Sequence, residues 1–220
     1  MTKTLWVIDP STQVAEGEGS RELSELWKGP VQVFHPALVG EESLAEAGYD
    51  CAGVVLLGSR ASVYDSLPWL DQLKAWMHPL VEGKVKVPLL GVCFGHQLLA
   101  HVSGGSVGFL REDESKLVAV RQSEINPCVL APAGGTYNVV CSHRESVKEI
   151  PSDIFEVVGH RDEVPIDVIQ HRELPIYGVQ FHPEARMEFA GHCGLDLKRD
   201  LPAVKKDGRA LLNRFLEQID

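Results

Sequence analysis

The chain has little positive charge, and its basic residues are scattered. Lysine and arginine number 21 against 31 aspartates and glutamates, which gives a formal net charge of −10. The basic runs are short, as in Lys205-Lys206. Because binding to a nucleic-acid backbone requires a basic patch, this charge distribution argues against nucleic acid as a partner.

The sequence also lacks a hydrophobic run long enough to cross a bilayer, which needs about 20 apolar residues. Its N-terminus shows no apolar secretory region. The number of cysteines is odd and no Cys-x-x-Cys pair occurs; they are Cys51, Cys93, Cys128, Cys141 and Cys193. Because secreted domains usually pair their cysteines, we predict a cytoplasmic protein with free thiols and no membrane partner.

Signatures of cofactor binding are missing as well. No Gly-x-x-x-x-Gly-Lys-Ser/Thr loop occurs, so an ATP-binding synthetase half is not predicted. The nine histidines show no metal-ligand spacing, and His192-Cys193 is typical of a surface loop. We therefore predict neither a metal nor a cofactor.

What is present suits one large domain over residues 1–220, with 44% hydrophobic residues available for a core. Short apolar runs alternate with amphipathic segments in the first half. Strands are predicted at 4–9, 31–34 and 52–57, helices at 21–27, 41–47 and 68–82, and a polar loop at 13–19. This alternation indicates an α/β fold with a mostly parallel central sheet and helices on both faces.

The second half of the chain has a different pattern. Short alternating segments predict antiparallel strands added to the sheet at 106–110, 117–121, 137–141, 155–160, 167–171 and 176–181. A loop is predicted at 126–135 and a helix at 208–218, whereas the charged segment 191–206 shows no clear pattern.

A cysteine lies between two glycines where a predicted strand meets a predicted helix over 94–102. Gly91 and Gly95 flank Cys93 at the spacing of a nucleophile elbow, with cysteine in place of serine. The helix N-terminus would favour the thiolate, and the Phe94 amide is suitably placed to donate to an oxyanion. Considered alone, the motif fits a plain buried cysteine equally well.

A histidine and a glutamate follow another predicted strand. His182 and Glu184 flank Pro183, which fixes its own φ and keeps the preceding residue extended. A carboxylate in this position raises the basicity of the imidazole and fixes its tautomer. Because a thiol nucleophile needs a base, we hypothesise that His182 serves Cys93. The alternative is an ordinary surface segment.

Two further polar segments follow predicted strands. Gly58 to Asp65 is either a plain loop or the source of a second oxyanion donor facing Cys93. Ser142 and Glu145 have the spacing of a capping box, which would start a helix there.

Taken together, four segments resemble the class I, triad-type glutamine amidotransferase family. They are Gly91-Val-Cys-Phe-Gly-His-Gln97, Gly178-Val-Gln-Phe-His-Pro-Glu184, Ser142-His-Arg-Glu-Ser-Val147 and Gly58-Ser-Arg-Ala-Ser-Val63. Their order and spacing agree with the family, and the resemblance spans roughly Thr4 to Phe215. The stand-alone domains similar to the glutaminase part of GMP synthase are the nearest in pattern. The chain departs from the family at Ser59 and Arg60, where glycine and proline are usual, and at Phe94.

The resemblance implies a role for each matching residue. Cys93 would attack the amide carbon of glutamine or a γ-glutamyl amide, with His182 as base and Glu184 orienting it. The amides of Ser59 and Phe94 would form the oxyanion hole. Residues that would bind the rest of the substrate are Gly58, Gln97, Ser142, His143 and Arg144. Arg60 fits a solvated loop position.

Three functions are consistent with these residues. The first is a glutaminase subunit that passes ammonia to a separate synthase. The second is a self-sufficient hydrolase of γ-glutamyl amides. The third is a non-catalytic regulatory protein on the same fold. Intact Cys93, His182 and Glu184 disfavour the third. The first predicts a partner surface, and the second predicts a pocket that continues beyond the amide nitrogen.

Overall fold

The structure is a computed structural model that describes residues 3–39 and 42–219. Its strands are β1 Leu5–Ile8, β2 Val31–Phe34, β3 Gly53–Leu56, β4 Leu89–Val92, β5 Ser106–Phe109, β6 Leu117–Ile125, β7 Gly135–His143, β8 Glu145–Glu149, β9 Phe155–Arg161, β10 Val164–His171 and β11 Ile176–Val179. Its helices are α1 Gly17–Leu26, α2 Pro36–Val39, α3 Glu42–Ala47, α4 Pro68–Val81, α5 Phe94–Val102, α6 Met187–His192 and α7 Leu201–Leu216. Among the described residues, no helix has the length and apolar character needed to cross a membrane.

One large sheet organises the molecule, with strand order β2-β1-β3-β4-β11-β10-β9-β6-β7. The pairs from β2 to β11 are parallel. The remaining pairs, from β11 to β7, are antiparallel. Strands β5 and β8 form a separate antiparallel pair. The predicted α/β class, with antiparallel strands added in the second half, is confirmed.

The inner parallel strands β1, β3, β4 and β11 are buried on both faces, to which consecutive residues point alternately. Val54 packs in an apolar cluster with α4 and α5, to which Leu70 and Leu98 belong. Its neighbour Val55 packs in a second cluster, with Leu212 of α7. The strands are therefore continuous apolar runs that hold a layer of helices on each face.

The first half contains more helix than predicted. Helix α1 begins at Gly17, inside the predicted loop 13–19, because the Glu16 carboxylate caps it by accepting from the Gly19 amide at 2.7 Å. The short helix α2 was not predicted. The predicted helix 41–47 is observed as α3, and Glu41 lies outside the described residues.

The second half differs in three places. Strand β11 is antiparallel to β10, as predicted for this segment, but it is also parallel to β4. The capping-box interpretation was also wrong, since Ser142 lies in β7 and Glu145 begins β8. Helix α7 begins at Leu201 rather than Gly208. A Cβ on Gly208 would lie 2.2 Å from the Pro183 carbonyl oxygen, so this glycine permits close packing inside the helix and does not mark its start.

Helix α5 lies unusually close to β4 because a glycine is present at the contact. A Cβ at Gly91 would lie 2.5 Å from the carbonyl oxygen of Gly95 and 2.8 Å from the amide nitrogen of His96. Both are backbone atoms, which side-chain rotation does not move.

We expect Gly91→Ala to lower the free energy of unfolding by about 1–3 kcal/mol, since the added methyl overpacks a backbone contact. Denaturant unfolding measures the change. The matched control is Gly191→Ala, where a Cβ meets no atom of residues 3–39 or 42–219 within 4 Å, apart from its own helix and chain neighbours. Equal stability of the two variants would contradict this account of the contact.

Candidate active site

Cys93 occupies a sharp turn between β4 and α5. Its backbone has φ 52° and ψ −98°, a left-handed conformation that costs a non-glycine residue on the order of 1–3 kcal/mol. The turn is held on both sides, since the Cys93 amide donates to the Val179 carbonyl at 2.8 Å and its carbonyl accepts from the Gln97 amide at 3.1 Å. A strained residue fixed in this way at a helix N-terminus is a feature of a functional site.

His182 reaches Cys93 because the two residues follow neighbouring parallel strands. Val92 of β4 pairs with Val179 of β11, so both chains leave the sheet at the same edge. The His182 amide then donates to the Val140 carbonyl at 2.8 Å, which ties the residue to β7. Chemistry in open α/β sheets is located at this carboxyl edge.

Glu184 orients the imidazole. The Nδ1 atom of His182 lies 2.8 Å from Oε1 of Glu184, and the two residues are only 3% and 2% exposed. The Phe189 ring of α6 covers the imidazole, with ring centroids 4.4 Å apart. Within the described residues, Nε2 has no hydrogen-bond partner, so it is the nitrogen free to exchange a proton.

The surroundings of His182 favour its protonated form. Burial by itself lowers the pKa, but the charges of Glu184 and Cys93 outweigh burial and raise the pKa well above its usual value. An imidazolium beside a sulfur stabilises a thiolate, which is the nucleophilic form of cysteine.

Two buried glutamines line the other side of Cys93. The Gln180 amide nitrogen donates to the Cys93 sulfur at 3.7 Å. Gln97 donates to the Glu145 carbonyl at 2.8 Å and to the Gln180 side-chain oxygen at 3.3 Å. Both donors of Gln97 are therefore used inside the protein, and its oxygen is the atom left for a ligand.

The loop after β3 lies against the histidine. A Cβ on Gly58 would lie 2.8 Å from Cε1 of His182, so only glycine fits there. The Ser59 hydroxyl donates to the Pro10 carbonyl at 2.7 Å and accepts from the Ala61 amide at 3.2 Å. The φ of Ser59 is not positive, so serine replaces glycine here without strain.

The side chains at the end of β7 contact other parts of the protein. The Ser142 hydroxyl lies 3.0 Å from the Cys193 sulfur. The His143 ring contacts Arg161 at 2.8 Å and the Glu145 carbonyl at 2.9 Å. Burial is the main cause that lowers the pKa of His143 to about 3, and the Arg161 charge adds to it. The His143 ring is therefore neutral at neutral pH.

Two cavities meet at Cys93. One has a volume of about 340 Å³ and is lined by residues 11–16, Leu57, Gly58, Ser59, Arg60, Cys93, Lys116, Ser142, His182, Glu184, Phe189, His192 and Cys193. We call it the histidine-side cavity. The other has a volume of about 300 Å³ and is lined by Ser59, Arg60, Ala61, Cys93, Gln97, Lys116, Ser142, His143, Arg144 and Glu145. We call it the glutamine-side cavity. Phe94, whose side chain is fully buried in the core, contributes to neither lining.

Sequence reasoning missed the supports of this site. Glu18 accepts hydrogen bonds from the amides of Arg186, Glu188 and Phe189 at 2.7, 2.8 and 2.9 Å, so α1 fixes the start of α6. The acidic residues of the predicted loop were the available signal, but nothing in the local sequence showed their partner. Among the described residues, no group of His, Cys, Asp or Glu is arranged to hold a metal ion.

Comparison with known proteins gives a consistent picture. The sequence model of the family "Glutamine amidotransferase class-I" matches residues 30–198. A protein of Methanocaldococcus jannaschii, named as a subunit of glutamine-hydrolysing GMP synthase, is 39% identical over 99 residues, 45% of this chain and 52% of that protein. The glutamine-hydrolysing GMP synthase of Neisseria meningitidis serogroup C is 32% identical over 169 residues, 76% of this chain and 27% of that protein.

The solved structures agree on the fold. A glutamine amidotransferase from Thermotoga maritima superposes with a TM-score of 0.77 at 17% identity, covering 99% of this chain and 98% of that one. The chain spans about half the length of the Methanocaldococcus jannaschii relative that it matches.

Glu16 lies beside Glu184, and both residues line the histidine-side cavity. A Cβ built on Gly19 would lie 2.8 Å from the Glu16 carboxylate and 2.9 Å from Cγ of Glu184. Burial, aided by the charges of Glu184 and Asp9, raises the pKa of Glu16 from 4.5 to about 7, although the Gly19 hydrogen bond opposes the rise.

We expect Glu16→Gln to stabilise the protein at high pH. The folded state holds the Glu16 proton between pH 4.5 and about 7, whereas the unfolded state releases it. The wild type therefore loses stability relative to the variant as pH rises through this window, by on the order of 1–3 kcal/mol.

Denaturant unfolding near pH 5 and near pH 8 measures the difference. Glu112→Gln, at an exposed loop position, is the matched control. A wild-type-minus-variant difference that stays constant between the two pH values would show that Glu16 ionises normally in the folded protein.

Proposed function

Since the chain belongs to the class I glutamine amidotransferase family, we propose that it hydrolyses the side-chain amide of glutamine or of a γ-glutamyl amide. The products are glutamate and ammonia or an amine. The observation that carries this proposal is the buried Cys93–His182–Glu184 arrangement at the carboxyl ends of two neighbouring parallel strands. It supplies a nucleophile, a base and a group that orients the base.

The first half of the reaction forms a thioester. The Cys93 thiolate attacks the amide carbon, and the carbonyl oxygen becomes an oxyanion. The C–N bond then breaks, and protonated His182 gives its Nε2 proton to the departing nitrogen. The raised pKa of His182 supports this order, because the imidazolium is present before the attack.

The second half regenerates the enzyme. Water attacks the γ-glutamyl thioester carbon and gives a proton to Nε2 of His182. The C–S bond breaks, and the products are glutamate and the Cys93 thiolate beside an imidazolium. Glu184 accepts a hydrogen bond from Nδ1 and stabilises that imidazolium.

The amides of Phe94 and Ser59 are proposed to bind the oxyanion. Phe94 is the first residue of α5, so its amide has no partner within the helix. Ser59 lines both cavities next to Cys93, and the bond of its hydroxyl to Pro10 fixes the loop. Backbone donors are unaffected by side-chain identity, which fits serine and phenylalanine at these positions.

The glutamine-side cavity is proposed to hold the amino-acid end of the substrate. Arg60, Lys116 and Arg144 supply positive charge for a carboxylate. Gln97 offers its side-chain oxygen to an ammonium group, and the backbone around Ser142 and His143 adds further polar atoms.

A second candidate is a glutaminase that delivers ammonia to a separate synthase. The names of the relatives favour it, because the Methanocaldococcus jannaschii protein is named as one subunit of a glutamine-hydrolysing GMP synthase. This candidate shares the chemistry at Cys93 and differs in the fate of the nitrogen.

Cys93→Ala is expected to reduce amide hydrolysis by about 10⁴-fold or more, because no nucleophile remains. Amide-release kinetics and thermal unfolding of the same preparation measure activity and fold. Cys128→Ala, whose thiol lies outside both cavities, is the control and should keep activity. Retained turnover in a folded Cys93→Ala variant would exclude the thioester mechanism.

Glu184→Gln is expected to lower kcat by about 10²–10⁴-fold and to move the alkaline limb of the kcat/KM profile to lower pH. The carboxylate raises the pKa of His182, so its loss lets the imidazolium deprotonate earlier. A pH–rate profile measures the shift, with the exposed Glu217→Gln as control. An unchanged alkaline limb would contradict the role of Glu184.

A further inference from the structure

We propose that the histidine-side cavity binds the amine part of the substrate, and that the preferred substrate is a γ-glutamyl amide whose nitrogen carries an apolar substituent. This inference rests on the proposed function, since it assumes that Cys93 attacks a γ-glutamyl amide. It deepens that function by assigning the cavity formed by residues 11–16 and α6 to the leaving group.

The position of His182 sets the direction of the substrate. The group that gives the proton to the leaving nitrogen must lie next to that nitrogen. His182 lines the histidine-side cavity and is absent from the lining of the other one. A substituent on the nitrogen therefore extends into the histidine-side cavity.

Arg60 and Lys116 line both cavities, so the residues particular to each cavity are the ones that bear on this direction. Arg144 and Gln97 line only the glutamine-side cavity, which suits the charged amino-acid end. Val14, Ala15 and Phe189 line only the histidine-side cavity and give it an apolar wall. An amino-acid head gains little from an apolar wall, whereas an alkyl or aryl amine buries its surface there.

The size of the cavity exceeds what ammonia needs. A water molecule occupies about 30 Å³ in the liquid, and ammonia is of similar size. The histidine-side cavity measures about 340 Å³, which lies within the range of small-molecule sites. This space is additional to the roughly 300 Å³ on the glutamine side.

The wall includes an exposed hydrophobic side chain. Val14 is 78% exposed at the mouth of the cavity, the same exposed fraction as Val39 on α2. A substituent that covers Val14 removes this apolar surface from water, which favours binding of a substituted amide over glutamine.

The reaction balances without a further reactant. The C–N bond of the secondary amide breaks, and the nitrogen takes one proton from His182 to leave as a primary amine. Water supplies the oxygen of the new carboxylate and restores the proton on His182. Glutamate and the free amine are the only products.

The test compares three substrates with the purified full chain. The substrates are L-glutamine and two derivatives whose side-chain amide nitrogen carries an ethyl or a benzyl group. All three share the amino-acid end and differ only in this substituent. We expect kcat/KM for the N-benzyl amide to exceed that for glutamine by about tenfold or more, as apolar burial allows.

A variant that fills the cavity makes the test specific. Ala15→Trp should lower the kcat/KM ratio of N-benzyl amide to glutamine by about tenfold, because the indole occupies the substituent's space. Ala203→Trp, at an exposed position on α7 away from both cavities, should leave the ratio as in the wild type.

Two results separate failure of this inference from failure of the proposed function. If glutamine is hydrolysed, or its diazoketone analogue alkylates Cys93, while neither substituted amide is a better substrate, the cavity assignment is overturned and the proposed function stands. If no amide is hydrolysed and the analogue does not label Cys93, both are overturned. A preference for the N-benzyl amide that Ala15→Trp leaves unchanged also overturns the cavity assignment.

Discussion

The pairing of β4 with β11 is the constraint on which the candidate site depends. Its register sets Val92 beside Val179, and the amide of Cys93 continues the ladder to the Val179 carbonyl. A shift by one residue would turn the side chains to the opposite face and separate Cys93 from His182. The surrounding elements act to hold this edge: α5 sits close over Gly91, and α7 packs through Gly208 against Pro183.

Burial makes the charge arrangement at this edge effective and also costly. An imidazole and a carboxylate that are almost fully buried interact strongly, but removal of one partner from such a pair typically costs about 3–5 kcal/mol. A second, partly buried ionic cluster lies beside this pair. Glu22 accepts from Arg186 and Arg209 at 2.6 Å each, which ties α1 and α7 to the segment after Glu184.

Much of the fold and of the central candidate residues could be predicted from sequence because their signals are local. Apolar runs, the glycines around Cys93 and the proline between His182 and Glu184 each act within a few residues. The residues that hold the site in place act through contacts distant in sequence, and they were not predicted. Glu18 caps a helix some 170 residues away, and nothing near Glu18 in the sequence identifies that partner. Gly208 was mistaken for a helix start. The glycine is needed there because α7 packs against Pro183, which lies far away in the sequence.

The contrast between local signals and long-range contacts also applies to the proposed chemistry and the proposed choice of substrate. Attack on an amide carbon needs only a nucleophile, a base and an orienting acid, and short motifs encode all three. The proposed leaving-group cavity is lined by residues 11–16 and α6, which have no motif, and Glu18 contacts to α6 hold the two segments together. Phe189 both covers His182 and lines the cavity, so a shift of α6 would change the burial of the imidazole and the shape of the cavity together. On this proposal, changes in these segments would change the preferred amine and leave the reaction at the sheet edge unaltered.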